Sequence, residues 1–141
     1  MKRKASAQWQ GDLKTGKGSV SSESGVLQDT PYSFAMRFAD AKGTNPEELA
    51  AAAHAGCFTM ALSAELGKVN LAPASLRTSC TVTLDQVDGK WSITESHLEV
   101  TAKVPGASEE AFRQAAHAAE TGCPISKLFN TKITLDAKLE A

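Results

Sequence analysis

Two cysteines stand in sequence contexts that could support thiol chemistry, and Cys57 is the first. It lies in the segment Ala55-Gly56-Cys57-Phe58, inside an alanine-rich apolar run. The thiolate is the nucleophilic form of cysteine, and a helix interior offers no N-terminal dipole to stabilise it. A reactive Cys57 therefore requires a nearby cation. The alternative is a buried, unreactive Cys57 that packs as a small apolar residue, as most free cysteines do.

Cys123 is the second candidate and differs in kind. It follows Gly122 and precedes Pro124, which predicts a position at the start of a helix. The N-terminus of a helix favours a negatively charged thiolate. The segment Cys-Pro-Ile-Ser is also similar to redox motifs in which the second cysteine is a serine. The alternative is a cysteine that serves only as a helix N-cap.

Arg37 is the cation best suited to activate a thiol, because its guanidinium keeps its charge in proteins. Residues 32–38 alternate aromatic or apolar side chains with others, which predicts a strand with Arg37 on the face opposite the aromatics. Glu47 is a natural partner that could orient the guanidinium by a bidentate contact. The alternatives are a solvated strand residue for Arg37 and simple dipole stabilisation in a first helical turn for Glu47.

The spacing of these residues bears on the number of subunits. Glu47 and Cys57 are ten residues apart, which is about 15 Å along one helix. Arg37 cannot easily touch both residues within one chain. If two copies of the helix pack antiparallel, Glu47 of one subunit approaches Cys57 of the other.

The remaining metal-binding or nucleophilic residue types favour structural roles. Cys80 shares a strand face with Val82 and Leu84, which predicts core packing. His54 lies one turn before Cys57, which raises the alternative of a metal site with Cys123, yet the usual paired ligand spacing of a zinc site is absent. A buried histidine satisfied by hydrogen bonds is the better interpretation. His97 and His117 are expected at the surface.

The secondary-structure pattern predicts an α+β domain with antiparallel sheet. The first forty residues indicate a β-meander, and Asn45-Pro46-Glu47-Glu48 predicts a helix start. The helix over 49–66 is apolar on every face, so we expect a second subunit to cover part of it. Further predicted features are a hairpin at Asp88-Gly89, a bulge near Thr94 to Ser96, a helix opening at Ser108 and a closing strand over 133–140.

Length and charge limit the possible functions. A chain of 141 residues fits one domain, and a net charge of -1 gives no field for nucleic acid or an anionic membrane. The N-terminus has basic residues without an apolar stretch behind them, so a cytoplasmic location is expected. The uncharged run from Leu49 to Ala64 is shorter than the roughly 20 residues of a membrane helix.

Several of these motifs together resemble the OsmC/Ohr family of osmotically inducible and organic hydroperoxide resistance proteins, over essentially the whole chain. The motifs are Trp9-Gln10-Gly11-Asp12, Gly25-Val26-Leu27, Arg37-Phe38, Gly43-Thr44-Asn45-Pro46-Glu47-Glu48-Leu49, Ala52-Ala53-His54-Ala55-Gly56-Cys57-Phe58 and Gly122-Cys123-Pro124-Ile125-Ser126. The arginine just before the Gly-Thr-Asn-Pro loop favours the OsmC branch.

The resemblance implies a fold and a function. The fold would be an intertwined homodimer in which antiparallel sheets wrap long central helices, with 1–141 as a single domain. Cys57 would be the peroxidatic cysteine, Cys123 the resolving cysteine that forms a disulfide with it, and Arg37 and Glu47 the activating charged pair. Organic hydroperoxides would be reduced better than hydrogen peroxide, without a cofactor, and a dithiol, often lipoyl, would restore the thiols. Phe34, Met36, Phe58 and Met60 are candidate contacts for the organic group. A non-catalytic dimeric binding protein and a Cys/His metal-binding protein are the rival interpretations.

Overall fold

The structure is a computed structural model that describes all residues from Met1 to Ala141. Its elements in chain order are β1 (Ala5–Gln10), β2 (Lys17–Ser22), β3 (Thr30–Tyr32), α1 (Phe34–Phe38), α2 (Pro46–Gly67), β4 (Ser75–Val87), β5 (Lys90–Lys103), α3 (Glu109–Gly122), α4 (Pro124–Leu128) and β6 (Lys132–Glu140). The predicted α+β class is confirmed. The residues cluster into two compact units, Met1–Leu49 and Ala50–Ala141, and the boundary between them falls within α2.

The first unit contains a three-stranded antiparallel sheet in the order β1-β2-β3, as the predicted meander requires. Gly18 of β2 lies between two rings. A Cβ at this position would meet the Trp9 ring at 2.5 Å and the Tyr32 ring at 2.6 Å, so only glycine fits. The two rings pack with centroids 5.5 Å apart across the space that this glycine leaves.

The strand predicted over residues 32–38 is wrong. β3 ends at Tyr32, and the short helix α1 follows, with Ser33 as its N-cap accepting a hydrogen bond from Met36 N. Aromatic residues four apart satisfy both the two-residue period of a strand and one face of a helix. Phe34 and Phe38 therefore contact each other along α1, with ring centroids 4.9 Å apart.

The second unit contains a sheet in the order β4-β5-β6. β4 and β5 pair antiparallel through the predicted hairpin, whose Asp88 and Gly89 both have positive φ, as a type I′ turn requires. The predicted bulge is also confirmed, because Thr83 pairs with Glu95 while Leu84 pairs with Ile93.

One detail of the predicted sheet is wrong, because β6 pairs with β5 in parallel rather than antiparallel. The two strands are separated in sequence by α3 and α4. A helical crossover returns the chain to the end of the sheet at which the preceding strand began, so the next strand runs in the same direction.

The core of the second unit lies between the inner face of β5 and two helices. Its buried apolar residues are Phe58, Leu62, Leu66, Leu98, Val100, Ala102, Val104, Phe112, Ala115, Ala116, Ala119 and Cys123. The helix that opens at Ser108 is confirmed, since Ser108 caps α3 and accepts a hydrogen bond from Ala111 N. Its four buried residues repeat at helical spacing.

Helix α2 buries only one stripe within this single chain. His54, Phe58, Leu62 and Leu66, spaced four residues apart, are its buried residues. The rest of its surface is exposed or half-buried. The 22-residue helix is longer than the uncharged run in the sequence, and by length and composition it is long enough to cross a membrane, so the length argument against a membrane helix is wrong.

Candidate active site

Arg37 is positioned in the first unit by α1 and the loop after it. The Asn45 side-chain amide donates to Met36 O at 3.2 Å, and its Oδ1 accepts from Glu48 N at 2.8 Å. Asn45 therefore ties the end of α1 to the first turn of α2. Because Arg37 lies on α1 and Glu47 on the first turn of α2, these two hydrogen bonds help to hold the charged residues close together.

Arg37 and Glu47 form a close ion pair. Arg37 Nη2 lies 2.7 Å from Glu47 Oε1, and Arg37 Nε lies 3.2 Å from both carboxylate oxygens. The guanidinium carbon lies 5.2 Å from the centre of the Phe38 ring. The Glu47 side chain is only 12% exposed, whereas that of Arg37 is 36% exposed. The guanidinium is thus fixed in direction and still has donors free to meet a further group.

An apolar cleft of about 300 Å³ adjoins Arg37 within the first unit. Its walls are Trp9, Leu13, Tyr32, Ser33, Phe34, Arg37 and Phe38. Of the four residues considered as contacts for an organic group, Phe34 lines this cleft. Phe58 is fully buried in the core of the second unit and is not available to a ligand there, and Met60 is 78% exposed. The cleft combines apolar walls with one permanent positive charge.

Cys57 and Cys123 come together in the second unit. Cys57 lies at mid-helix in α2 and Cys123 is the N-cap of α4, yet the two thiols lie close enough for Cys123 to raise the pKa of the Cys57 thiol. Both are free thiols, Cys57 half-buried and Cys123 fully buried. The structure therefore brings the four predicted residues together as two pairs, one in each unit.

The environment of Cys57 within the protein favours its neutral form. Burial raises the pKa of the Cys57 thiol, the backbone N–H of Ile125 acts in the opposite direction, and the neighbouring Cys123 thiol raises the pKa further. Two thiols side by side resist becoming two negative charges. A positive charge brought to Cys57 would reverse this balance.

Cys123 is held by the first turn of α4. Its sulfur accepts a hydrogen bond from Ser126 N at 3.3 Å, and its thiol donates to Ser126 Oγ at 3.2 Å. The N-cap role and the thiol chemistry considered for Cys123 are therefore compatible, because the same sulfur can do both. The third residue after an N-cap lies beside the cap side chain. The serine of Cys-Pro-Ile-Ser is therefore a neighbour of the Cys123 thiol.

His54 is buried and hydrogen-bonded at both ring nitrogens, as predicted. Nδ1 lies 2.6 Å from Ser96 Oγ, and Nε2 lies 2.8 Å from Ser126 Oγ. Burial lowers the pKa of His54, which favours the neutral ring. Ser96 and Ser126 were missed as functional candidates from the sequence. No local sequence pattern marks Ser96 as a functional residue, because its contact with His54 joins residues that are distant along the chain.

The remaining histidines and cysteine do not gather a metal site around the thiols. Cys80 packs against the core and lies 3.2 Å from Ser96 Oγ. The one group of three side chains with metal-binding potential is His97, Glu99 and Asp136, which contains no cysteine. The Cys/His metal set considered for His54, Cys57 and Cys123 is not assembled.

These features define an α+β protein with a paired-thiol centre in one unit and an oriented arginine in the other. The sequence pattern of the family described as OsmC-like protein matches residues 39–138. The chain belongs to the OsmC family. It is similar to peroxiredoxin OsmC of Escherichia coli (strain K12), with 48% identity over 139 residues, 99% of this chain and 97% of that protein.

Solved structures agree with this assignment. The organic hydroperoxide resistance protein OhrB of Bacillus subtilis is 25% identical, with a TM-score of 0.70 over 97% of this chain and 98% of that one. An OsmC-like protein of unknown function from Vibrio cholerae is 16% identical, with a TM-score of 0.78 over 97% of this chain and 99% of that one. The second similarity shows the fold alone. The expected OsmC/Ohr-like fold is confirmed.

Proposed function

We propose that this protein is a cysteine-based peroxidase that reduces organic hydroperoxides to alcohols, and hydrogen peroxide less well. The observation that carries the proposal is the contact of two free thiols, Cys57 and Cys123, in the second unit. The 48% identity to a protein named peroxiredoxin OsmC supports it, as does the similarity to a protein named for resistance to organic hydroperoxides.

Cys57 is proposed as the peroxidatic residue. Its thiolate attacks the terminal oxygen of the hydroperoxide, an S–O bond forms and the O–O bond breaks. The departing alkoxide takes up a proton and leaves as the alcohol, while Cys57 becomes a sulfenic acid. Cys57 rather than Cys123 takes this role because it is the less buried of the two thiols.

Arg37 is proposed to stabilise the thiolate and the developing negative charge on the alkoxide, with Glu47 orienting it. The neighbours of Cys57 within its own unit favour the thiol, so the reaction requires a cation from elsewhere. The ion pair in the first unit supplies a guanidinium whose direction is fixed at Nε and Nη2 and whose remaining N–H groups are free for substrate or sulfur. In this proposal the Arg37 guanidinium that approaches Cys57 belongs either to the same subunit or to the second subunit of a dimer.

Cys123 is proposed as the resolving residue. Its sulfur attacks the Cys57 sulfenic acid, an S–S bond forms, and water leaves. This protects Cys57 from further oxidation. A dithiol, such as a lipoyl group on a protein, then reduces the disulfide by exchange through a mixed disulfide, and no cofactor is required.

The apolar cleft beside Arg37 is proposed to accept the organic substituent of the hydroperoxide. Its aromatic walls offer contact area to an alkyl or aryl group and nothing comparable to hydrogen peroxide. This difference in buried apolar surface accounts for the proposed preference for organic substrates.

A homodimer of single-domain subunits in the cytoplasm is proposed as the working form. The exposed side of α2 consists mainly of small residues: Ala52, Ala53, Gly56, Ser63, Ala64 and Gly67. Small side chains permit close approach of a second helix, and a second copy of α2 would cover this apolar side. The family match to 39–138 runs through the unit boundary at 49/50, which supports treating 1–141 as one functional domain.

The decisive experiment is intact mass analysis after a substoichiometric amount of cumene hydroperoxide. The expected product is the loss of two hydrogen atoms, mapped by peptide analysis to a Cys57–Cys123 disulfide. Cys57→Ser is expected to abolish both this product and turnover. Cys80→Ser is the matched control, because it removes the third cysteine and leaves the pair intact. Turnover that survives Cys57→Ser contradicts the proposal.

The rival functions predict different results in the same experiment. A non-catalytic binding protein leaves all three thiols unmodified by the peroxide. A Cys/His metal protein copurifies with a metal ion, which elemental analysis detects.

A further inference from the structure

A line of hydrogen-bonded side chains crosses the core of the second unit and ends on Cys123. The Cys123 thiol donates to Ser126 Oγ at 3.2 Å, and Ser126 Oγ lies 2.8 Å from His54 Nε2. On the other side of the ring, His54 Nδ1 lies 2.6 Å from Ser96 Oγ. Ser96 Oγ in turn lies 3.2 Å from the Cys80 sulfur. Of these groups, the peroxidase mechanism described above uses only the Cys123 sulfur.

The tautomer of His54 sets the direction of the line. A hydroxyl has one proton to donate, and Ser126 Oγ already accepts from the Cys123 thiol. In the tautomer with the ring proton on Nδ1, His54 Nε2 is the accepting nitrogen and takes the Ser126 proton in a hydrogen bond. In the same tautomer Nδ1 donates to Ser96 Oγ, which leaves the Ser96 proton available to the Cys80 sulfur. Every donor in the line points away from Cys123.

This direction prepares a proton transfer that needs no movement of heavy atoms. If the Cys123 proton passes to Ser126 while the Ser126 proton passes to His54 Nε2, both hydrogen bonds reverse and remain intact. The Ser126 hydroxyl then donates to the Cys123 thiolate. The doubly protonated ring donates to Ser126 and, as before, to Ser96.

The surroundings of His54 suit a transient proton acceptor. The groups that face the ring are Cys80 from β4, Ser96 from β5, Ser126 from α4 and the edge of the Phe129 ring, whose centroid is 5.1 Å away. Of these only Cys80 is titratable, and none is charged. Burial is the single cause that lowers the pKa of His54. The ring is thus neutral at rest and releases an acquired proton readily.

We propose that His54, acting through Ser126, is a positioning residue that accepts the proton of the Cys123 thiol while the disulfide forms. The inference rests on the proposed function, because it concerns the step in which Cys123 attacks the Cys57 sulfenic acid. It adds to that step the base that makes the resolving sulfur nucleophilic.

The resolving step is balanced in atoms and electrons. The Cys123 sulfur forms a bond to the Cys57 sulfur, and the S–O bond of the sulfenic acid breaks with its electron pair on oxygen. The departing hydroxide takes a proton from solvent and becomes water, while the Cys123 proton moves through Ser126 to His54 Nε2. His54 later returns this proton to solvent. The sum is one sulfenic acid and one thiol converted to one disulfide and one water.

The test separates oxidation of Cys57 from its resolution in a single turnover. The protein is mixed with one equivalent of cumene hydroperoxide in a stopped-flow and quench-flow series. Peroxide consumption reports the first step, and disulfide formation by quenched intact mass reports the second. The variants are His54→Gln, Ser126→Ala and Ser126→Thr, with His117→Gln as the matched control at a histidine whose side chain is 76% exposed.

The expected result is selective for the second step. His54→Gln and Ser126→Ala slow disulfide formation by about tenfold or more, within the range of a lost general base. Peroxide consumption stays within about twofold of the wild-type rate. Ser126→Thr, which retains the hydroxyl, restores resolution, and His117→Gln has no effect on it.

The pH profile distinguishes a proton acceptor from a packing role. In the wild type the rate of disulfide formation is level across neutral pH, because His54 provides the base. In His54→Gln it climbs about tenfold per pH unit, because hydroxide must then remove the Cys123 proton. Circular dichroism melts verify that each variant is folded at the temperature of the assay.

The outcomes that overturn the inference differ from those that overturn the proposed function. The inference fails if folded His54→Gln and Ser126→Ala resolve at the wild-type rate, keep a level pH profile, or slow both steps equally. The proposed function fails if the wild-type protein itself forms neither a sulfenic acid nor a disulfide with the hydroperoxide.

Discussion

The Cys57 thiol lies close enough to Cys123 for that residue to raise its pKa, although the two are on different helices, one at mid-helix in α2 and the other at the N-cap of α4. Both thiols are free and already neighbours. A sulfenic acid formed on Cys57 would therefore find its resolving partner without a rearrangement of the fold. Removing the Cys57 sulfur is therefore expected to abolish turnover, whereas removing the Cys123 sulfur is expected to expose Cys57 to overoxidation.

Replacing Cys123 with serine is expected to leave Cys57 open to overoxidation during turnover. The Cys57 sulfenic acid then has no partner, and excess cumene hydroperoxide adds a second and a third oxygen atom to it. Intact mass after successive additions of peroxide measures this overoxidation. Cys80→Ser, which leaves the pair intact, is expected to show a disulfide and no sulfinic acid. A Cys123→Ser protein that survives many turnovers unmodified contradicts the resolving role.

Removing the charge at residue 37 is expected to weaken peroxide reduction. Arg37→Gln should lower kcat/KM for cumene hydroperoxide by about a hundredfold, the usual loss for one electrostatic contact in a transition state. Glu47→Gln should cause a smaller loss, because the guanidinium remains but is held less firmly. Arg113→Gln is the control, since the side chain of Arg113 is 71% exposed and pairs with Glu109.

The same variants are expected to change the acidity of Cys57. If Arg37 stabilises the thiolate, Arg37→Gln raises the pKa of the Cys57 thiol. The pH dependence of alkylation by iodoacetamide, followed at Cys57 by peptide mass analysis, measures the change. An unchanged alkylation profile in Arg37→Gln would show that the arginine does not act on the sulfur.

Stability is expected to fall in mild acid partly because of His54. Burial lowers the pKa of His54 in the folded protein, so as pH falls through about 6.5 the unfolded chain takes up a proton first. The stabilising contribution of the neutral, hydrogen-bonded ring is present above that pH and is lost below it. Urea unfolding at pH 7.5 and at pH 5.5 measures the change for wild type and His54→Gln. The stability difference between the two should shrink at the lower pH, and a constant difference contradicts this assignment.

A larger side chain at Gly56 is expected to break the proposed dimer without disturbing the subunit. A Cβ at Gly56 meets no atom within 4 Å in its own chain, so Gly56→Leu has room there. In a close contact between two copies of α2 the same side chain would clash. Analytical ultracentrifugation of the wild type should show a dimer and Gly56→Leu a monomer. Gln114→Leu, at an exposed position of α3 away from this side of α2, is the control. A wild-type monomer with full activity would contradict the dimer and a shared active site.

Local sequence signals predicted most of the secondary structure. Asn45 with Pro46, Ser108, and Asp88-Gly89 each mark a boundary because their backbone preferences act within a few residues. The bulge at Thr94 was predicted by a change in the parity of apolar residues along β5, which a regular strand cannot accommodate. Local signals fail where the strand period and the helix period both fit the same residues. Phe34 and Phe38 fit a strand and a helix equally, and Ser33 decided the matter by capping α1.

The sequence by itself determined the α+β class, the positions of the helix starts and turns, and the identity of the four candidate active-site residues through the motifs that contain them. Only the tertiary structure decided that β6 runs parallel to β5, that Arg37 meets Glu47 from a helix, and that Ser96 and Ser126 enclose His54. Capping and periodicity act between near neighbours in the chain and can be read along it. The hydrogen bonds of His54 join residues 42 and 72 positions away, and only the packing of α2 against β5 and α4 brings them into reach.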